Sequence, residues 1–252
     1  MDSITQIVDI FSDALEKSKL NRSKVSVVSD VLFSPEVIEK LGVDFFHTTR
    51  GSAIPFAVGL KLGNLGLKVV AFVGDLLTIG GNHFLHSARG NMDFLVICLN
   101  HFIYKKVGGE KPPAFSSHFS PYPSYEEPFN IPHIAKSFGA VYVARWTMLH
   151  TQELVNSISE AMHKKGFSVI EVISPGVNYF LENRDIDDQS GLGEYYYKNS
   201  ELKNGCDTRE VAIEPDRKII VGKFIDREKE TFIDSYNRQL AHVMGEKFRE
   251  YK

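Results

Sequence analysis

The stretch KVVAFVGDLLTIGGNHFLHSARGNMDFLVICLN, residues 68–100, decides the fold. It opens on a β-branched and aromatic run, Lys68 to Val73, that reads as a buried strand closed by Gly74-Asp75. Gly80-Gly81 then opens a helical segment reaching Arg89, and Asp93 to Leu99 (DFLVICL) reads as the next strand. Strand, helix, strand is the unit of a parallel sheet, because a parallel partner needs a crossover connection. The same alternation extends in both directions. Upstream, Ile4, Ile7, Val8, Phe11, Ala14 and Leu15 fall at helical spacing over 3–18, Lys24 to Ser29 (KVSVVS) reads as a strand, and Ser52 to Leu62 reads as a helix after Gly51. Downstream, helices are predicted over 132–138 and 151–164, with strands at Val141 to Ala144 and Ser168 to Ile173. The strands are apolar throughout rather than alternating, so both of their faces are buried. The expected fold is α/β, a doubly wound and mostly parallel sheet. An α/β domain is expected over 1–177. Residues 178–252 are expected to form an irregular extension, ending in a charged helix that packs on the domain or on a partner subunit.

Composition removes several function classes. The 252 residues are 43% hydrophobic and 24% charged, which fits a globular chain and excludes disorder. Lys+Arg 29 against Asp+Glu 32 gives a net charge of −3, without the basic excess of a general nucleic-acid or anionic-membrane binder. The cysteines, Cys98 and Cys206, number two, too few for a disulfide scaffold or for a four-cysteine cluster held by this chain alone. The longest apolar runs are strand-sized, so no membrane span is expected. The first residues (MDSIT) lack a basic segment and a long apolar one, so a cytoplasmic location is expected.

In a doubly wound sheet, ligands sit beyond the carboxyl ends of the strands. That places attention on Asp30, Gly74-Asp75, Asn100-His101 and Ser174-Pro175-Gly176. A carboxylate and an amide oxygen at adjacent strand ends suit a magnesium ion. Glycines at a helix N-terminus let backbone amides meet phosphate. The same residues also suit plain turns and caps, and at this point both readings stand. The segment His101 to Pro132 carries six prolines and little periodicity, and connections of that length are usually functional or covered by a partner. His83, His86 and Arg89 form one helical stripe suited to polar contacts or to a metal pair. Tyr195-Tyr196-Tyr197 suits a subunit contact or a loop tucked onto the core.

Longer blocks are more specific. IGGNHFLHSARGN (79–91), NHFIY (100–104), GGE (108–110) and RGSAIPFAVGLKL (50–62) resemble the β subunit of 2-oxoacid:ferredoxin oxidoreductases. So do EEPFNIPHIAKSFGAVYVARWT (126–147), GFSVIEVISP (166–175) and VGKFIDREKETFIDSYN (221–237). The resemblance implies the diphosphate-binding half of a thiamine-diphosphate enzyme, with an α subunit supplying the aminopyrimidine half. Family members oxidatively decarboxylate a 2-oxoacid to an acyl-CoA and pass electrons to ferredoxin, so a γ subunit or ferredoxin-like cluster protein is a further implied partner. It also implies site roles. Asp75, His101 and the Ile103 carbonyl would hold Mg2+ or another divalent metal. Gly74, the Gly80-Gly81 amides, Asn100 and Arg50 or Lys105 and Lys106 would surround the diphosphate. The catalytic base is expected on the α subunit.

The chain departs from the family pattern at the cofactor. The family's first cysteine pair lies just ahead of the first helix, where this chain starts. Its third cysteine matches Phe33, and its Ser-Pro-Cys reads Ser174-Pro175-Gly176. Thiolates bind iron–sulfur clusters, so no [4Fe–4S] cluster is expected on this chain. Gly-Asp-Gly-Asp is shortened to Gly74-Asp75 before Leu76-Leu77, and the second of two asparagines is His101. Imidazole suits zinc, iron or nickel better than magnesium. Tyr104-Lys105-Lys106-Val107 and Arg50-Gly51-Ser52 are further replacements. The alternative expectation is therefore a non-catalytic structural subunit with a degenerate cofactor site.

Overall fold

The computed structural model describes residues 3–31, 33–74, 76–77, 79–100, 129–174, 194, 196–214 and 217–252. Six strands follow one another in the parallel sense: β1 (Val25–Ser29), β2 (Asp44–His47), β3 (Lys68–Val73), β4 (Leu95–Asn100), β5 (Tyr142–Thr147) and β6 (Ser168–Ile173). Two later strands, β7 (Ser200–Leu202) and β8 (Ile219–Asp226), complete one sheet in the order β2-β1-β3-β4-β6-β5-β8-β7. β8 runs antiparallel to β5, with a register shift at Val143/Ala144, and β7 pairs in parallel with β8.

Helices cover both faces. They are α1 (Ser3–Ser18), α2 (Pro35–Glu39), α3 (Ala53–Gly63), α4 (Gly81–Gly90), α5 (Ile131–Phe138), α6 (Thr151–His163) and α7 (Phe232–Met244). The period of two along each strand divides the core. Val70, Phe72, Leu95, Ile97, Ile170 and Val172 face α1 and α6. Val69, Ala71, Val73, Val96, Cys98 and Val169 face α3, α4 and α5. This explains why the strands read as unbroken apolar runs in the sequence. Two elements carried no strong signal. β2 is exposed at both ends of DFFH, and α2 is a single short turn after Ser34. Among the described residues no helix is long and apolar enough to cross a membrane.

At the amino ends of the strands, opposite the strand tips where ligands sit, Asp93 ties three elements together. Its carboxylate lies 2.9 Å from Lys61 Nζ and 3.7 Å from Lys68 Nζ, and it accepts the Gly166 N–H at 3.0 Å. Lys61 is buried, and its ammonium also donates to the carbonyls of Leu65 and Leu67, each at 2.9 Å. Burial alone would raise the Asp93 carboxyl, but the Lys68 and Lys61 ammoniums and the Gly166 amide outweigh it and hold it below the usual carboxylate range. A carboxyl depressed on folding stabilises the native state above its unfolded value, and that contribution is lost as pH falls through the folded value. Asp93→Asn is therefore expected to cost about 2 kcal/mol in urea unfolding at pH 7. The difference from wild type should shrink below about pH 4. An equal deficit at pH 7 and pH 3 would contradict this role.

Candidate functional site

Parallel strands place all their carboxyl ends on one edge. The chain leaves β1 for β2 on one side and returns to β3 on the other, so the strand order reverses between β1 and β3 and the loops there diverge. Asp30, the residue after β1, spans this gap. Its Oδ2 accepts the Gly51 N–H at 2.9 Å and its Oδ1 accepts the Gly74 N–H at 3.2 Å. Its own N–H donates to Phe72 O at 3.3 Å, and Ser29 Oγ, accepting the Val31 N–H at 3.0 Å, tightens the turn. One carboxylate thus joins the loops that follow β1, β2 and β3.

The two outer loops also touch directly. Gly51 has φ +78°, and a Cβ there would lie 2.5 Å from Ile79 Cγ2. The contact and the left-handed backbone both require glycine. A Cβ on Gly80 would stand 3.4 Å from Leu76 O and 3.5 Å from Gly51 O. From this contact α4 begins, with Gly80 as its N-cap and no side chain capping it. A Cβ at Gly81 would meet nothing within 4 Å among the described residues, so the backbone there is not covered by any of them. The first turn of such a helix carries partial positive charge on backbone N–H groups, which suits a diphosphate.

Asn100 ends β4 and is buried. Its Nδ2 donates to Glu171 Oε1 at 2.9 Å, and Arg145 Nε donates to Glu171 Oε2 at 2.7 Å. Arg145 Nη1 continues the chain to Val211 O at 2.6 Å. Arg145 is 0% and Glu171 1% exposed, inside a sheet where charge is costly unless paired. The register sets Cys98 and Arg145 on either side of Glu171. Among the described residues, Arg145 Nη2 and Ser174 Oγ are buried without a hydrogen-bond partner. Beyond the end of β5, His150 Nδ1 pairs with Thr147 Oγ1 at 2.8 Å, and its ring lies against those of Trp146 and Tyr197. Burial holds this imidazole below the usual histidine range.

Of the residues expected from sequence, Arg50, Gly74, Gly80, Gly81 and Asn100 come to this edge. Asp75, His101, Ile103, Lys105 and Lys106 lie outside the described residues, as does the rest of 101–128. No group of three or more His, Cys, Asp or Glu suited to a metal forms among the described residues. The donor set fits a diphosphate in one respect, the start of α4, whose glycine N-cap brings no side chain to the first-turn amides; the Asn100 NH2 at the neighbouring strand end is engaged by Glu171. Sequence reading passed over Arg145 and Glu171. Their signal was present, a single charge inside each of the apolar runs YVARW and VIEVI. Of the tyrosine run, Tyr196 is buried and Tyr197 is exposed, and Tyr195 lies outside the described residues.

Comparison with known proteins bears on this edge. A family described as "Thiamine pyrophosphate enzyme, C-terminal TPP binding domain" matches residues 33–172. The 2-oxoglutarate synthase subunit KorB of Methanothermobacter thermautotrophicus is 36% identical over 230 residues, covering 88% of this chain and 79% of the relative. That of Methanocaldococcus jannaschii is 35% identical over 247 residues, covering 95% and 91%. A solved 2-oxoglutarate:ferredoxin oxidoreductase from Magnetococcus marinus, with 2-oxoglutarate, coenzyme A and succinyl-CoA bound, superposes with TM-score 0.79 at 22% identity. The alignment covers 96% of this chain and 85% of that one, a likeness of fold.

Asp30→Ala would leave the Gly51 and Gly74 amides without their acceptor. The expected result is faster hydrogen exchange in the peptides covering residues 48–52 and 73–77, with protection of β4 and β6 unchanged. Unchanged exchange at both loops would refute the joining role of Asp30.

Proposed function

Because the chain belongs to the 2-oxoacid:ferredoxin oxidoreductase β-subunit family, we propose that its carboxyl edge holds the diphosphate end of thiamine diphosphate at the interface with an α subunit. The observation that carries this reading is the start of α4. Its N-cap, Gly80, brings no side chain to the first-turn amides, no described residue covers Gly81, and it is fixed against the Gly51 loop at the point where the strand order reverses. The Gly80 and Gly81 backbone would meet the diphosphate, with Asn100 beside it and Gly74 allowing close approach. Arg50, Lys105 and Lys106 would add positive charge.

Asp75, His101 and the Ile103 carbonyl would hold a divalent cation. Mg2+ is the ordinary choice for such oxygen ligands, and the histidine widens it to a softer metal. When bound, thiamine diphosphate supplies the carbon centre on which a 2-oxoacid loses carbon dioxide on its way to an acyl-CoA. The work of this chain is to bind and orient: the glycine backbone and cationic side chains neutralise the diphosphate, and the Asp30 clamp keeps the loops at fixed separation. The α subunit would supply the aminopyrimidine half and the catalytic base. A γ subunit or ferredoxin-like cluster protein would take the electrons, and the complex would act in the cytoplasm. The 1–177 unit would carry the cofactor half; of the later segment, β7 and β8 extend its sheet, and the remainder would pack on it or on a partner.

A second reading keeps the fold and assembly but not the cofactor. The replacement of an asparagine by His101 and of the family's Tyr-Gly-(Leu/Met)-Thr by Tyr104-Lys105-Lys106-Val107 favours it. The complex purified with its co-eluting chains separates the two. Near-stoichiometric thiamine diphosphate and divalent metal per copy, lost in Asp75→Ala, is the expected result. Absence of the cofactor even after soaking with it and Mg2+ would leave the structural reading.

A further inference from the structure

The buried Asn100–Glu171–Arg145 chain is costly for a sheet interior. Replacing such an ion pair by apolar residues often stabilises a protein, so packing alone does not explain its presence. Its geometry has one consequence that packing would not need. Glu171 is a carboxylate and accepts only, while arginine donates only. With Arg145 Nε on Oε2 at 2.7 Å, the remaining oxygen Oε1 faces Asn100. The one Asn100 atom that can face Oε1 is the amide nitrogen, and it does so at 2.9 Å. The side-chain amide therefore cannot flip, and its carbonyl oxygen is turned away from Glu171. The parity of the strands puts all three side chains on the sheet face that packs on α4: Val96 and Cys98 of β4, Val143 of β5 and Val169 of β6 share that face with Phe84 and Ala88 of α4. Arg145 is itself anchored from the far side through Val211 O.

We propose that Glu171, held by Arg145, is a positioning residue that fixes Asn100 with its carbonyl oxygen, rather than its NH2 group, presented to the cofactor site at the end of β4. This rests on the functional reading above and deepens it, because a carbonyl oxygen serves a metal ion or its water shell whereas an NH2 group would repel the cation. Groups that orient a ligand in this way typically change metal affinity 10–100-fold when altered.

An isosteric swap tests the orientation itself. In Glu171→Gln, the donor-only Arg145 takes the new carbonyl oxygen, so the glutamine NH2 faces Asn100 and forces that amide to turn over. Adding Asn100→Asp restores an acceptor on both sides of residue 100 and returns the cluster's charge to its original total. Equilibrium dialysis of thiamine diphosphate against the purified complex at fixed Mg2+ reads the outcome, with thermal unfolding run in parallel. The expected result is a 10–100-fold weaker dissociation constant for Glu171→Gln, recovered to within about 3-fold of wild type by the Glu171→Gln/Asn100→Asp swap. A merely structural Glu171 would not be rescued by moving the negative charge to residue 100. Wild-type affinity in Glu171→Gln, or a folded swap variant no better than the single one, would overturn the proposal while leaving the functional reading in place. No binding by the wild-type complex would overturn both.

Discussion

The carboxylate of Asp30 receives two backbone N–H groups, from Gly51 and Gly74, across the gap between β1 and β3. The meeting of the loops that follow β1, β2 and β3 depends on that span. It sets the distance between the loop that carries Arg50 and the loop that leads to α4, and the Gly51–Ile79 contact then leaves room for no side chain at residue 51. Charge-assisted hydrogen bonds of this kind are roughly twice as strong as neutral ones. A crevice built by one side chain and two glycines keeps its shape before any ligand arrives, and preorganisation lowers the cost of binding. The same carboxylate brings negative charge to an edge proposed to receive a diphosphate. A divalent cation and the nearby basic side chains are the natural counterweight.

Behind the edge, the sheet couples the site to the far end of the chain. Asn100 leads to Glu171, Glu171 to Arg145, and Arg145 to the carbonyl of Val211, in the segment that precedes β8. β8 in turn pairs with β5, the strand that carries Arg145. The later part of the chain is therefore held to the sheet both by strand pairing and by the buried guanidinium. A change in how residues 208–226 dock would reach Asn100 through two hydrogen-bonded side chains.

The fold was readable because its core strands are buried on both faces. KVVAFV, DFLVICL and SVIEVI are apolar enough to be recognised without their neighbours, and Gly51 and Gly80-Gly81 mark where helices begin. β2 escaped notice for the opposite reason: DFFH lies at the sheet edge with both end residues exposed, so it lacks a two-sided apolar pattern. The strand over residues 95–100 starts two residues later than its sequence suggests, because Asp93 serves as an ion-pair anchor and Phe94 as a core residue ahead of the ladder. In the site, glycines and strand-end polar residues were legible from position alone. The partnership of Asn100 with Glu171 was not, since it is set by the register between β4 and β6, residues 71 apart in sequence. Asp30 stood at a strand end, but that it bonds two separate loops follows only from the order in which the strands lie.

The most direct test is a structure of the α–β complex determined with thiamine diphosphate and Mg2+. The diphosphate should lie against the Gly80-Gly81 backbone at the start of α4, with the Asn100 carbonyl oxygen on the cofactor side and the Asp30 clamp unchanged. A cofactor bound elsewhere, or a complex that assembles fully with that crevice filled by protein, would contradict it.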